Sequence, residues 1–272
     1  MKFSIVVVTL NAGDDLIRTI NSIKNQNFTN YEIIIKDGDS SDNSISLLTK
    51  DDQIRIFIEK DTGIYDAMNQ ALNHVTGDLV LFLNSGDTFY NETVLSDIKD
   101  FITEAGKKHD TIFYGDCYTV NRNAYVRYPD VFDDYTCFTK TLCHQATVYP
   151  SNLFSKRKFN TEYTVGADFE YYVYAYTRGI TLVHMPIVVA NYLGGGASEA
   201  YKNRNKSCEE STIILRECFG EARYKAVNRK ALLKFTWIKK ALVKSRLLYK
   251  PYSWLAGFIY RALEKSTKGN MR

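Results

Sequence analysis

Residues 1–90 alternate between two hydrophobic periods. Residues 3–8 form an unbroken apolar, β-branched run, the pattern of a strand buried on both faces of a parallel sheet. Turn and capping residues follow at 11–15, and Leu16, Ile20 and Ile23 then recur at helical spacing. Residues 31–35 predict a second strand, cut off by the polar run DGDSSDNS. Residues 54–58 predict a third and residues 78–83 a fourth, which ends in NSGD. Between the last two, Ile64, Met68, Leu72 and Val75 mark the buried stripe of a helix whose opposite face carries Asp66, Asn69 and Asn73. Strand–helix alternation of this kind builds βαβ units, so the fold class is α/β, a doubly wound, mainly parallel sheet flanked by helices. Ligands of such sheets bind outside the carboxyl ends of the strands. The polar clusters at 9–11, 37–42 and 84–87 all follow strand ends and are expected to meet on one edge.

The pattern is less regular farther on. Residues 111–118, 124–128 and 145–149 predict short strands, 168–178 a helix, and 181–189 a strand followed by the run GGGAS at 194–198. No repeat or low-complexity linker interrupts residues 1–220. They are expected to form one catalytic-type domain of two halves, 1–110 and 111–220. Residues 221–272 are an appendage. There Ala231, Leu232, Phe235, Ile238 and Leu242 share one helical face over 228–248, and Arg229, Lys230, Lys234, Lys240 and Lys244 share the other, with Trp237 among them. After Pro251 comes an aromatic, apolar stretch containing Tyr252, Trp254, Phe258 and Tyr260.

Charge sharpens this division. The net formal charge is +4, but residues 1–227 hold 23 basic and 30 acidic side chains, whereas residues 228–272 hold 12 basic side chains and one acid, Glu264. A basic amphipathic helical tail on an acidic body suits an anionic membrane surface. A helix packed on the body with its basic face in water is the plainer alternative. Nucleic acid is set aside, because no nucleic-acid-binding motif accompanies the charge. At 272 residues and 45% hydrophobic, the chain has enough apolar material for a core without staples. Its five cysteines form no C-x-x-C pair and are expected to be free thiols in a reducing compartment. The opening MKFSIVVVTLN runs directly into the strand pattern and lacks the features of a signal peptide. No apolar run reaches the roughly 18 residues of a membrane span. The expected location is therefore cytoplasmic, peripheral on the inner face of the membrane.

Two clusters carry chemistry on their own terms. In DGDSSD, Asp37 stands at a strand end beside a glycine turn, and residues 40–44 offer hydroxyls and helix N-terminal amides, or simply a turn and a cap. In NSGD, a carboxylate and an amide follow a strand, a hard-oxygen set suited to Mg2+ or Mn2+ bridging a diphosphate. The spaced combination of TLN (9–11), IIKDGDSSDNS (34–44), EKDTGIYDAMNQAL (59–72) and GDLVLFLNSGD (77–87) resembles the family 2 glycosyltransferases of bacterial surface-polysaccharide type. It continues more thinly through YGD (114–116), CHQATVY (143–149), GADFEYYVYA (166–175) and NYLGGGAS (191–198).

The resemblance implies a GT-A fold and inverting transfer of a hexose or N-acetylhexosamine from a UDP-sugar. The acceptor would be a sugar hydroxyl on a polyprenyl diphosphate lipid or an oligosaccharide, as in O-antigen or capsule assembly. It implies that Thr9 and Asn11 border the nucleotide, Asp37 bonds the base, and Asp66 with Asn69 holds the nucleoside, while Asp61 and Gly63 shape the loop leading there. Asp87 matches the last acid of the D-x-D signature and would ligate Mn2+ or Mg2+. Asn84 stands where a first acid is frequent, Ser85 follows it, and Gly86 replaces the middle acid. Asp168 matches the acid of the family's acceptor motif and would be the general base, although Ala167 replaces the preceding acid; the plainer alternative is that Asp168 caps its helix. His144 and Gln145 match an HQ pair near acceptor or diphosphate, or His144 is a core residue. Tyr114 and Asp116 are expected near the acceptor. The 194–198 run either closes over the diphosphate or merely connects, and His184 is expected in the core. Two other classes fit parts of the pattern. A nucleotidyltransferase would also place an acid after a strand, but TLNAGDD lacks the expected basic glycine-rich loop. A silent membrane-associated scaffold would need neither Asp87 nor Asp168.

Overall fold

A computed structural model describes residues 1–106, 110–194 and 204–232. The chain divides into two units, one of Met1–Val131 with Thr141–Ile214, the other of Phe132–Lys140 with the chain from Leu215 onward.

The first unit opens with β1 (Phe3–Thr9), α1 (Asp14–Lys24), β2 (Tyr31–Asp37), β3 (Ile54–Ile58), α2 (Ile64–Ala71) and β4 (Leu79–Phe82). β5 (Thr88–Phe89), α3 (Val94–Ala105), β6 (Thr111–Thr119) and β7 (Ala124–Val126) follow. The strands form one sheet in the order β3-β2-β1-β4-β8-β6-β9-β5, with β7 on β6; β8 is Thr147–Pro150 and β9 is Thr181–Tyr192. The β3-β2-β1-β4 half is parallel throughout, and β8 begins a mixed half by pairing antiparallel to both β4 and β6. Register pairs Thr9 with Asp37 and Val6 with Phe82. The chain therefore leaves β1, β2 and β4 on the same side of the sheet, and the three polar clusters share the expected edge.

Burial explains why these segments form strands. Every residue of β1 and β2 is buried, which an unbroken apolar run satisfies and an alternating one does not. Leu16, Ile20 and Ile23 of α1 and Leu95, Ile98 and Ile102 of α3 pack into one core with Ile5, Val7, Ile33, Ile35 and Leu81. α2 lies against β1 and β2.

Several expectations are corrected. No helix follows DGDSSD; residues 41–47 are bends and turns, because Asp37, Asp42 and Ser44 bond local backbone and hydroxyl groups in place of a helical ladder. The helix after β3 ends at Ala71 and passes into a tight turn over Leu72–His74, so its buried face is Tyr65, Ala67, Met68 and Ala71, rotated from the expected stripe. The strand expected at 145–149 starts only at Thr147, after a single turn of 3-10 helix over His144–Ala146. α5 (Ser151–Lys156), α6 (Ala167–Thr177) and the start of α7 (Arg204–Phe219) complete this unit.

In the second unit, α4 (Asp134–Thr139) meets α8 (Glu221–Leu232). Arg223 donates through Nε and Nη2 to both oxygens of Asp134 at 3.0 and 2.5 Å, and Phe138 packs on Phe219 and Tyr224. α8 begins at Glu221, ahead of the expected start at Asn228, after Gly220 turns the chain at a φ of 73°. Residues 195–198 of the glycine run and residues 233–272 of the tail lie outside the described residues.

Candidate functional site

The edge beyond β1 and β2 is built from polar side chains that hold one another. Asp37, almost fully buried, accepts the Ser40 amide at 2.8 Å and the Ser40 hydroxyl at 2.5 Å. The Ser40 hydroxyl in turn accepts the Asn11 amide, and Asn11 Oδ1 accepts the Ser41 amide, each at 2.8 Å. Thr9 Oγ1 is buried without a partner. Beneath this edge lies a residue that sequence reasoning missed. Lys36 is 1% exposed, and its ammonium donates to the carbonyls of Asp37 and Glu59 and to Asp61 Oδ2. A buried cation needs such pairing; the visible signal was a lysine inside the apolar run IIIK.

On α2, Asp66 accepts the Thr62 amide and hydroxyl at 2.9 and 3.0 Å and so closes the helix start. Asn69 makes a two-way clamp with the backbone of Phe159, accepting its amide at 3.0 Å and donating to its carbonyl at 2.9 Å. Its side-chain amide thus joins α2 to the segment before α6.

A second group surrounds a cavity of about 560 Å3, whose walls include Asn84, Ser85, Asp87, His144, Gln145 and Asp168. Asp87 ends the turn after β4. Thr19 Oγ1 pins this turn by donating to the Asp87 carbonyl at 2.8 Å while accepting the Gly86 amide at 2.9 Å. Gly86 has a φ of 98°, a conformation that side chains with a Cβ rarely adopt, which accounts for glycine where the signature has an acid. One Asp87 oxygen accepts the Leu193 amide at 2.8 Å and the other the Gln145 side-chain amide at 2.6 Å. Burial pushes this carboxyl up to about 6, against those two hydrogen bonds, which favour the ionised form.

A hard cation fits this turn in part. Asp87 supplies a carboxylate, and Asn84 Oδ1 is a buried oxygen with no partner. Among the described residues no three acidic, histidine or cysteine side chains gather as a metal cage, so most ligands of such an ion would come from a diphosphate and water.

Also lining the cavity, Asp168 sits in the first turn of α6, whose cap position is Gly166 and makes no side-chain cap hydrogen bond. Asp168 Oδ1 instead accepts the Tyr65 hydroxyl at 2.7 Å. His144 stacks on Phe82 with its Nδ1 3.9 Å from Asp168 Oδ2, and both of its ring nitrogens are buried without partners. Burial lowers its pKa despite the nearby Asp168 charge, so the ring is neutral near pH 7. The residues entering α6 are held by Glu210 of α7. One of its oxygens accepts the Thr164 amide and hydroxyl at 3.0 and 3.2 Å, the other the Val165 and Gly166 amides at 3.0 and 2.9 Å.

Tyr114 and Asp116 lie elsewhere. Tyr114 is fully buried and donates to the Pro129 carbonyl at 2.7 Å. Asp116 accepts the Tyr128 amide and meets His184 Nε2, each at 3.0 Å, while His184 Nδ1 lies 2.9 Å from Asp130. In β6 it is Cys117 and Thr119 that face the cavity, so the strand carries the expected pair away from it. Tyr65 and Glu210 were not foreseen. The first lay within the family-like EKDTGIYDAMNQAL, and the second had no local signal.

The chain resembles known proteins in both sequence and structure. The family model described as Glycosyl transferase family 2 matches residues 4–166. A PGL/p-HBAD biosynthesis glycosyltransferase of Mycobacterium bovis is 31% identical over 198 residues, covering 70% of this chain and 76% of the relative. An uncharacterized glycosyltransferase of Mycobacterium tuberculosis is 29% identical over 174 residues, covering 62% and 66%. In structure, residues 1–349 of S. aureus TarS in complex with UDP-GlcNAc superpose with a TM-score of 0.67 at 20% identity, over 94% of this chain and 79% of that one. Against a longer TarS chain the TM-score is 0.65, and the match spans only 46% of its length. TarS thus shares the fold, and the family match together with the mycobacterial relative shows that this chain belongs to glycosyl transferase family 2 and is a glycosyltransferase with the GT-A architecture.

Proposed function

We propose that this enzyme transfers a hexose or N-acetylhexosamine from a UDP-sugar, with inversion, to a sugar hydroxyl of a polyprenyl diphosphate-linked or oligosaccharide acceptor. The observation that carries this reading is that Asp87 and Asp168 line the same cavity. TarS, whose fold it shares, has been crystallised with UDP and with UDP-GlcNAc, which supports the donor class.

Asp168 is the general base, taking the acceptor hydroxyl's proton as that oxygen attacks the anomeric carbon. Asp87 and Asn84 would hold Mn2+ or Mg2+, and Gln145 and the Leu193 amide keep the Asp87 carboxylate aimed. A bound divalent ion supplies charge neutralisation at the leaving diphosphate. Thr9, Asn11 and Asp37 border the uridine; because Ser40 already occupies both Asp37 oxygens, the base would displace one of those contacts. His144 contributes a neutral ring at the wall where acceptor and diphosphate meet.

The setting is surface polysaccharide assembly, with the basic tail from Asn228 onward holding the enzyme on the cytoplasmic face of an anionic membrane. No helix among the described residues is long and apolar enough to cross a membrane.

Calorimetry with UDP, with and without Mn2+, tests the site. Metal-dependent UDP binding that survives Asp168→Asn and is lost in Asp87→Ala supports the two roles. If no nucleoside diphosphate binds with metal present, the donor reading fails. For the tail, a chain ending at residue 227 is expected to leave anionic liposomes that the full chain binds, and equal binding would refute the membrane role.

A further inference from the structure

Tyr65 points from the first turn of α2 toward the segment that enters α6. Its hydroxyl lies 2.7 Å from Asp168 Oδ1 and 2.8 Å from the Val165 carbonyl. A phenol has one proton to give, and both acceptors within reach belong to the stretch that presents Asp168. The same stretch is gripped from α7 by Glu210 through the amides of Thr164, Val165 and Gly166. Asp168 thus enters the cavity between two anchors, one on its backbone and one on its own carboxylate.

The two carboxylate oxygens are not equivalent. Oδ1 is occupied by Tyr65. Oδ2 faces His144 Nδ1 at 3.9 Å, beyond hydrogen-bond range. The geometry points to Tyr65 as the positioning residue of the proton transfer, occupying Asp168 Oδ1 so that Oδ2 is the atom that receives the acceptor's proton. This inference rests on the base role proposed above for Asp168. In the step so defined, the acceptor O–H bond breaks and its proton passes to Oδ2. The freed electron pair forms the new bond to the anomeric carbon, and the bond from that carbon to the diphosphate oxygen breaks with its pair leaving on the diphosphate.

Three ionisable groups face Asp168: Tyr65 from α2, His144 from the turn before β8, and Tyr149 from β8; Glu210 of α7 faces Tyr65 in turn. Burial holds both phenols well above their usual range, and it lowers His144, so all three are neutral near pH 7. Tyr65 therefore remains a donor across the working range. Its hydrogen bond fixes which carboxylate oxygen is free, so its removal should be visible in the rate.

The test is Tyr65→Phe, which keeps the ring and removes only the hydroxyl, measured beside Asp168→Asn. Expected is a fall in kcat of about 10- to 100-fold, the size of one lost hydrogen bond to a charged group. The donor KM should stay within about twofold, a split between kcat and KM that a general loosening of the cavity would not give. A kcat within about twofold of the unaltered enzyme, with Asp168→Asn inactive, would overturn the Tyr65 role alone. An active Asp168→Asn would overturn the base reading beneath it. Should Tyr65→Phe fail to fold, 4-aminophenylalanine at position 65 keeps a hydrogen-bond donor on the ring. A kcat within about tenfold of the unmodified enzyme is then expected, and a loss as deep as that of Asp168→Asn would refute the inference.

Discussion

Replacing Glu210 by Gln probes how much the site depends on an anchor distant in sequence from the chemistry. The carboxylate accepts hydrogen bonds from Thr164 N, Thr164 Oγ1, Val165 N and Gly166 N. An amide retains one acceptor oxygen and turns its NH2 toward the other pair of donors. Two donors then lose their acceptor inside the fold, at roughly 1–3 kcal/mol each, and the remaining two bonds become neutral and weaker. Glu210 is 7% exposed and Val165 is buried, but Thr164 is exposed, so water makes good part of the loss where the NH2 turns toward Thr164. The expected destabilisation is about 2 kcal/mol, which for a domain of this size lowers Tm by roughly 4–8 °C. Because the released residues lead directly into Asp168, kcat should fall while UDP affinity, which the proposed roles assign to Asp87, is kept. Differential scanning fluorimetry and calorimetry with UDP read the two effects. A Tm within about 2 °C of the parent and an unchanged kcat would show that these hydrogen bonds do not hold the segment.

Other parts of the structure make further predictions. Gly86→Ala places a Cβ on a φ of 98° and 3.3 Å from Leu193 Cδ2. It should cost about 1–3 kcal/mol and weaken metal-dependent UDP binding, whereas unaltered melting and binding would mean that the turn tolerates a side chain. His184 is held above its usual pKa: burial alone would lower it, but Asp116 and Asp130 outweigh that by favouring the imidazolium. A raised native value contributes stability that is full below about pH 6.5 and is lost as pH rises through it. The urea midpoint should therefore drop as pH rises above about 6.5, and this drop should vanish in His184→Gln; an equal drop in the variant would assign it to another group.

Much of the first half of the fold was legible because its code is local. An unbroken apolar run between polar turns defines β1 and β2, and the clusters after them mark the ligand edge whatever the rest of the chain does. α3 was equally legible, with Val94, Leu95, Ile98 and Ile102 at helical spacing and Gly106 as its stop, yet it drew no prediction. The stripe of α2 misled for a local reason. Ile64, Leu72 and Val75 assume a helix that continues, but the chain tightens after Ala71, and the buried face turns to include Tyr65. What the sequence could not show is partnership over distance. Tyr65 and Asp168 are joined across 103 positions, Asp87 and Gln145 across 58, and Val165 and Glu210 across 45. Asp116 illustrates the converse: an acid in a suggestive tripeptide is engaged by a histidine 68 positions away, and the cavity lies on another side of its strand.

The central claim is that Asp168 and Asp87, which line one cavity, divide proton transfer and donor binding between them. The most direct test is UDP release from UDP-sugars in the presence of a polyprenyl diphosphate-linked sugar, comparing the unaltered enzyme with Asp168→Asn and measuring UDP affinity on both. Loss of turnover by about 10²- to 10⁴-fold, the range for removal of a positioned general base, with UDP affinity unchanged is the predicted result. Turnover within about tenfold of the unaltered enzyme would contradict the account.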